Sequence, residues 1–219
     1  MTTNDSYAVI RKELSSKNVA LVAVSKLQST KKIMDLYAFG QRDFGENYVQ
    51  ELVEKESLLP KDIHWHFIGH LQRNKVKYIA PFVHLIQSVD SEKLLKEIDK
   101  EAAKNNRVIN CLLQVHIAEE ETKFGFTEDE LEKFFLNNEK IYKNIKLAGL
   151  MGMGSLSDDN EKVKTEFKRL STLFKNYFEK DRTDNSFLSM GMSSDYKIAI
   201  EEGSNMVRIG SLIFGSRLQ

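Results

Sequence analysis

The chain has 219 residues, 41% of them hydrophobic and 29% charged, with Lys+Arg and Asp+Glu balanced at 32 each. Such a length makes one domain or two small ones, and lets a folded chain bury roughly 70% of its unfolded surface. The zero formal charge offers no overall field for nucleic acid or an anionic membrane, so neither is expected as a partner.

Short apolar runs alternate with longer amphipathic ones. A helix over about 5–16 comes first. The apolar runs at 19–24, 42–45, 64–68, 85–89, 110–116, 146–151, 187–190 and 206–209 read as strands, the second and seventh being the weakest. Several are apolar throughout, as strands covered on both faces are. Helical patterns fall between them at 30–39, 48–55, 74–79, 91–105, 128–136, 160–177 and 195–202. Ser91 and Asp195 are placed to start the helices that follow them. Alternation of this kind argues for a parallel sheet. Eight units in this length fit a small (β/α)8 TIM barrel with an extra N-terminal helix, and a doubly wound open sheet is the competing architecture.

The only prolines are Pro60 and Pro81, and no Ser/Gly-rich linker occurs, so residues 1–219 are expected to form a single domain. The lone cysteine, Cys111, has no intramolecular disulfide partner and sits in an apolar run, where a buried thiol is the simple reading. No apolar run approaches the roughly 20 residues of a membrane span. Residues 1–6 lack the basic and apolar regions of a secretion signal, and a cytoplasmic protein is expected.

In barrels of this kind, functional groups collect where strands end. Lys26 follows the first strand directly. Partial desolvation there favours a neutral amine, which condenses with an aldehyde to an imine; a snorkelling surface lysine is the simpler alternative. Asn47 follows the second strand, as a hydrogen-bonding site residue or as the N-cap of the next helix. His64 and His66 share a face of the third strand. A metal needs three or four converging ligands, and the missing partners make a core or lumen histidine the better reading, with no metal expected. Met151-Gly152-Met153-Gly154 after the sixth strand offers close approach to a flat ligand, or plain turn chemistry.

The last two units carry the most information. Ser193 follows the seventh strand, and Gly210 and Ser211 follow the eighth. Backbone N–H groups in Gly- and Ser-rich loops cradle anions, and barrels often hold phosphate after strands seven and eight. Arg208 lies inside the eighth strand, where a buried cation needs a partner: a glutamate such as Glu46, or a ligand acceptor in the mouth.

Several segments together are similar, in order and over nearly the whole chain, to the pyridoxal phosphate homeostasis protein family. They are Val22-Ala23-Val24-Ser25-Lys26, Phe44-Gly45-Glu46-Asn47-Tyr48-Val49-Gln50-Glu51, Trp65-His66-Phe67-Ile68-Gly69-His70-Leu71-Gln72-Arg73-Asn74-Lys75, Lys123-Phe124-Gly125-Phe126, Leu188-Ser189-Met190-Gly191-Met192-Ser193 and Val207-Arg208-Ile209-Gly210. The resemblance implies a barrel like the N-terminal domain of alanine racemase, with pyridoxal 5′-phosphate held covalently as a Schiff base on Lys26. It also implies phosphate contacts from Ser193, Gly210 and Ser211, and Arg208 facing the pyridine nitrogen. Asn47, His66 and Met151 match positions near the cofactor more loosely.

An arginine at the ring nitrogen makes the ring a weaker electron sink. Racemases of this type add a second domain with a further acid/base, and here the sequence stops ten residues after Ile209. A non-catalytic carrier or regulator of the cofactor is therefore expected, a monomer that serves PLP-dependent apoenzymes. The competing functions are an amino-acid racemase or other Schiff-base enzyme, and a protein- or nucleic-acid-binding module using the basic run at 72–77, which reads more simply as a solvated helix face.

Overall fold

The computed structural model describes residues 3–118, 124–137, 142–178 and 186–215. Lys123 of the Lys-Phe-Gly-Phe segment lies outside them. Eight parallel strands close into a barrel in sequence order, β1 pairing with β8. They are β1 (Ala20–Val24), β2 (Asp43–Glu46), β3 (His64–Phe67), β4 (Leu85–Val89), β5 (Ile109–Val115), β6 (Ile145–Gly152), β7 (Phe187–Ser189) and β8 (Met206–Ile209). The two weakest sequence signals are the short strands β2 and β7, and closure rules out the open sheet.

The helices are α1 (Thr3–Ser16), α2 (Thr30–Ala38), α3 (Val49–Leu58), α4 (Val76–Ile79), α5 (Glu92–Lys104), α6 (Glu128–Asn137), α7 (Asn160–Phe178), α8 (Tyr196–Glu201) and α9 (Ser211–Phe214). The fourth is shorter than its sequence pattern, because Arg73–Lys75 winds as a 3-10 turn before it. The one-turn helix α9 carries too few residues for a periodic signal. Ser91 accepts a hydrogen bond from the Leu94 amide, as an N-cap should. Asp195 caps α8 only in position; its side chain instead accepts from the Met192 amide at 2.6 Å. After α1 and α5 the chain reverses through Asn18 and Asn106, both left-handed (φ 58° and 52°), a conformation asparagine tolerates.

Strand alternation divides the apolar residues into two bodies. Leu21, Ala23, Phe44, Phe67, Ile86, Cys111, Leu188, Val207 and Ile209 face outward and pack with helix residues such as Ile33, Leu52, Leu95, Ile98 and Phe167. Val22, Leu85, Leu112, Ala148, Met151 and Met206 fill the lumen. Truncating a fully buried ring such as Phe44 or Phe67 to alanine would cost about 3–5 kcal/mol. Burial also pushes the Cys111 thiol pKa up, consistent with an inert core cysteine. Among the described residues, no helix is long and apolar enough to cross a membrane.

Candidate functional site

Since all strands are parallel, the residues just past their ends meet at one face of the barrel. A cavity of about 500 Å³ opens there, within the range of small-molecule sites. Lys26, Asn47, Ser193, Arg208, Gly210 and Ser211 all line it. So do Gln28, Ile68, Met153, Met192, Ser194 and Leu212. The sequence held a signal for most of these: Gln28 lies two residues beyond Lys26, Met192 and Ser194 flank Ser193, and Met153 belongs to the Met-Gly-Met-Gly run. Ile68 gave none, since it read as ordinary strand core.

Two expected residues are not at the cavity. Met151 is fully buried in the lumen beside Val22 and Leu112. Met153, two residues on and just beyond β6, packs against that lumen cluster and lines the cavity instead. His66 is buried below the site, in register with Gly45 and Leu85. Its ring is consumed by partners inside the protein: Gln87 Nε2 donates to Nδ1 (2.9 Å), and Nε2 lies 3.0 Å from Asp43 Oδ1.

Arg208 points into the lumen and is 3% exposed. Its Nη1 donates to the Ser189 carbonyl (2.9 Å) and hydroxyl (2.7 Å), and its Nη2 to the Gly152 carbonyl (3.0 Å). A guanidinium has more N–H donors than these bonds use. Burial lowers its pKa to about 10, against the pull of Asp195, so it stays cationic at neutral pH. Glu46, the alternative partner, faces the other side of the sheet and pairs with Lys55 at 2.7 Å.

These bonds continue through the lumen as one directed chain. Arg208 donates to Ser189 Oγ, and Ser189 donates to Gln87 Oε1 (2.7 Å). Gln87 then donates to His66, leaving the His66 Nε2–H to donate to the Asp43 carboxylate. Asp43 also meets His64 Nδ1 at 3.2 Å, and the His64 ring stacks on His84 at 4.4 Å. For Asp43, burial alone would raise the pKa, but hydrogen bonds and charge from His66 and His64 outweigh it and hold the carboxyl below its usual range. Burial, with the neighbouring histidines, pushes His84 down to about 4. No group of three or more His, Cys, Asp or Glu among the described residues could hold a metal ion.

At the other side of the mouth, the Gly210 and Leu212 amides donate to Ser193 Oγ at 3.3 and 3.5 Å. Amides and a hydroxyl thus converge on one point, as anion-binding loops arrange them. Asn47 is not the cap of α3; Tyr48 holds that position. Asn47 Oδ1 is buried with no hydrogen-bond partner, a cost of about 1–3 kcal/mol unless something donates to it. A Cβ on Gly69 would lie 2.2 Å from the Asn47 carbonyl oxygen, so a glycine is required there for the two loops to touch.

The alanine racemase N-terminal domain family matches residues 4–218 of the chain. A pyridoxal phosphate homeostasis protein from Aquifex aeolicus is 41% identical over 198 residues, covering 90% of this chain and 86% of that protein. One from Schizosaccharomyces pombe is 39% identical over 211 residues, covering 95% and 88%. PipY of Synechococcus elongatus, solved with PLP bound, is 31% identical, with a TM-score of 0.87 over 98% of this chain and 100% of its own. Alanine racemase from Bartonella henselae covers all of this chain with 62% of its own, at a TM-score of 0.69; at 17% identity the likeness is one of fold alone.

Proposed function

Because the chain belongs to the pyridoxal phosphate homeostasis protein family, within the alanine racemase N-terminal domain family, we propose that it binds pyridoxal 5′-phosphate and serves homeostasis of that cofactor in the cytoplasm. The observation that carries this reading is the meeting of Lys26, Ser193, Arg208, Gly210 and Ser211 on a single cavity. An amine, an anion cradle and a fixed cation are the donor set that an aldehyde, a phosphate and an aromatic nitrogen require. The buried, partnerless Asn47 Oδ1 fits as well, since a ligand hydroxyl would satisfy it.

In this reading, Lys26 Nζ, unprotonated, adds to the aldehyde carbon, and the carbonyl oxygen leaves as water. The Gly210 and Leu212 amides, with the Ser193 and Ser211 hydroxyls, hold the phosphate. Arg208, fixed by Ser189 and Gly152, donates toward the ring nitrogen. When bound, the cofactor supplies an electron-accepting ring, and a donor arginine weakens that capacity.

A carrier rather than a catalyst is favoured by the lining of the cavity. Among its described residues, the ionisable side chains are Lys26 and Arg208. A racemase needs a second proton-transfer group facing the substrate, and neither carboxylate, imidazole, phenol nor thiol stands there. Delivery of the cofactor to PLP-dependent apoenzymes by a monomeric protein is the finer form of this proposal.

Titration with the cofactor tests it. The reading predicts a visible absorbance band that saturates at one equivalent and is competed by inorganic phosphate. Racemisation of alanine or serine at about 1–1000 per second, ordinary enzyme rates, would move the protein to the competing class.

A further inference from the structure

The surroundings of Lys26 hold a second set of residues that do not line the cavity. Lys26 sits between Ser25 and Leu27, two residues past the end of β1. The peptide before it ends in the Ser25 carbonyl, which accepts from Lys55 Nζ at 2.7 Å and from the Gln28 amide at 3.0 Å. The peptide after it presents the Leu27 N–H, which donates to Glu51 Oε1 at 2.6 Å. The Ser25 hydroxyl donates to Glu46 Oε1, also at 2.6 Å. These partners are tied together, since Lys55 Nζ donates to Glu46 (2.7 Å) and to Glu51 (2.6 Å) one turn away on α3.

The torsions of a residue are set by the two peptide planes that flank it. Holding the oxygen of one plane and the nitrogen of the other fixes both, and with them the direction in which Cβ leaves the backbone. Leu27 is held at φ 60°, a left-handed conformation that a bulky residue keeps only when its surroundings impose it. Stability alone is a weak reason for the arrangement: Glu46 is fully buried and Lys55 nearly so, and apolar replacements of buried ion pairs are often as stable or more so.

We propose that Glu51 and Lys55, joined by Glu46, are positioning residues that orient Lys26 for capture of an aldehyde, acting through the two peptide groups on either side of it. This rests on the reading of Lys26 as the aldehyde-capturing amine. The residues never touch the ligand, so their effect falls on covalent capture and not on binding of the phosphate and ring.

The test compares Glu51→Ala, Glu51→Gln and the pair Lys55→Met/Glu46→Gln, which removes the buried cation together with its fully buried carboxylate and leaves Glu51 its bond from the Leu27 amide. Capture of pyridoxal 5′-phosphate is followed by stopped-flow absorbance. Non-covalent binding is read with pyridoxamine 5′-phosphate, which has no aldehyde. Hydrogen exchange of the Leu27 amide in the ligand-free protein reads the brace directly. Glu51→Ala and the paired variant should slow capture about 10-fold or more, as misplacement of a reacting group does. They should bind pyridoxamine 5′-phosphate within about twofold of the parent. In Glu51→Ala the Leu27 amide should exchange faster, and Glu51→Gln, which keeps an acceptor oxygen, should restore most of the capture rate. Unchanged capture in both variants overturns the inference, as does an equal loss of capture and of pyridoxamine 5′-phosphate binding. Failure of the unmodified protein to take up the aldehyde would instead overturn the function proposed above, and this inference with it.

Discussion

The two ends of the barrel lumen use similar polar residues for opposite purposes. At the N-terminal end, Asp43 meets both His66 and His64, and His64 stacks on His84. At the C-terminal end, Asn47 Oδ1 has no partner, and the amides of Gly210 and Leu212 find only the Ser193 hydroxyl. Polar groups that complete one another hold the barrel together; at the mouth, the unpartnered Asn47 Oδ1 is where we propose that a ligand donates. The ends are nevertheless joined, through Ser189, Gln87 and His66, by a chain of hydrogen bonds that starts on Arg208.

The sharpest break in the comparison is Lys26→Ala. It should abolish the covalent adduct, read by intact mass after hydride reduction, while changing unfolding free energy by less than about 1 kcal/mol. Next is Arg208→Met, at the C-terminal start of the chain of bonds. It strips the buried Ser189 and Gly152 acceptors of their charged donor. We expect a loss of about 3 kcal/mol by urea denaturation, together with weaker cofactor binding. Gln87→Leu, in the middle of the lumen, leaves the Ser189 hydroxyl and His66 Nδ1 without their partner. A cost of about 2 kcal/mol is expected, with the covalent adduct on Lys26 still formed; loss of the adduct would show the two ends to be more strongly coupled than packing alone requires.

The smallest effect lies at the N-terminal end and is read by pH. His84 has a folded value of about 4 against an ordinary 6.5. The unfolded chain therefore takes up that proton first, and stability should fall as pH drops from about 6.5 through about 4. Asp43 adds to the loss at lower pH, because its carboxyl is held below the usual range and its contribution disappears as it protonates. His84→Asn should flatten the upper part of the decline in a series of melting curves. An unaltered pH profile would place the acid sensitivity elsewhere.

Much of this was legible beforehand, for identifiable reasons. Alternation of apolar and amphipathic runs gave all eight strands, since parallel strands covered on both faces carry a strong signal. Residues in the loops that follow strands, such as Lys26, Asn47 and Ser193, were legible as site candidates because a parallel barrel brings all such loops to one face. Depth was legible only in part: His66 read as a core or lumen histidine, but nothing marked Met151 as lumen packing. His66 and Met151 lie in strand positions whose side chains enter the lumen, and only the three-dimensional packing shows that Gln87 and Asp43 claim the one and Val22 and Leu112 surround the other. The brace behind Lys26 was equally hidden: Glu46 read as a possible partner of Arg208, and nothing in the sequence tied Glu51 or Lys55 to the loop after β1.

One measurement bears on the central claim more directly than any other. The protein is loaded with pyridoxal 5′-phosphate, reduced with borohydride, digested and sequenced by mass spectrometry. A single phosphopyridoxyl group on the peptide containing Lys26 is the predicted result. A stable adduct on any other lysine, with Lys26 unmodified, would contradict the account.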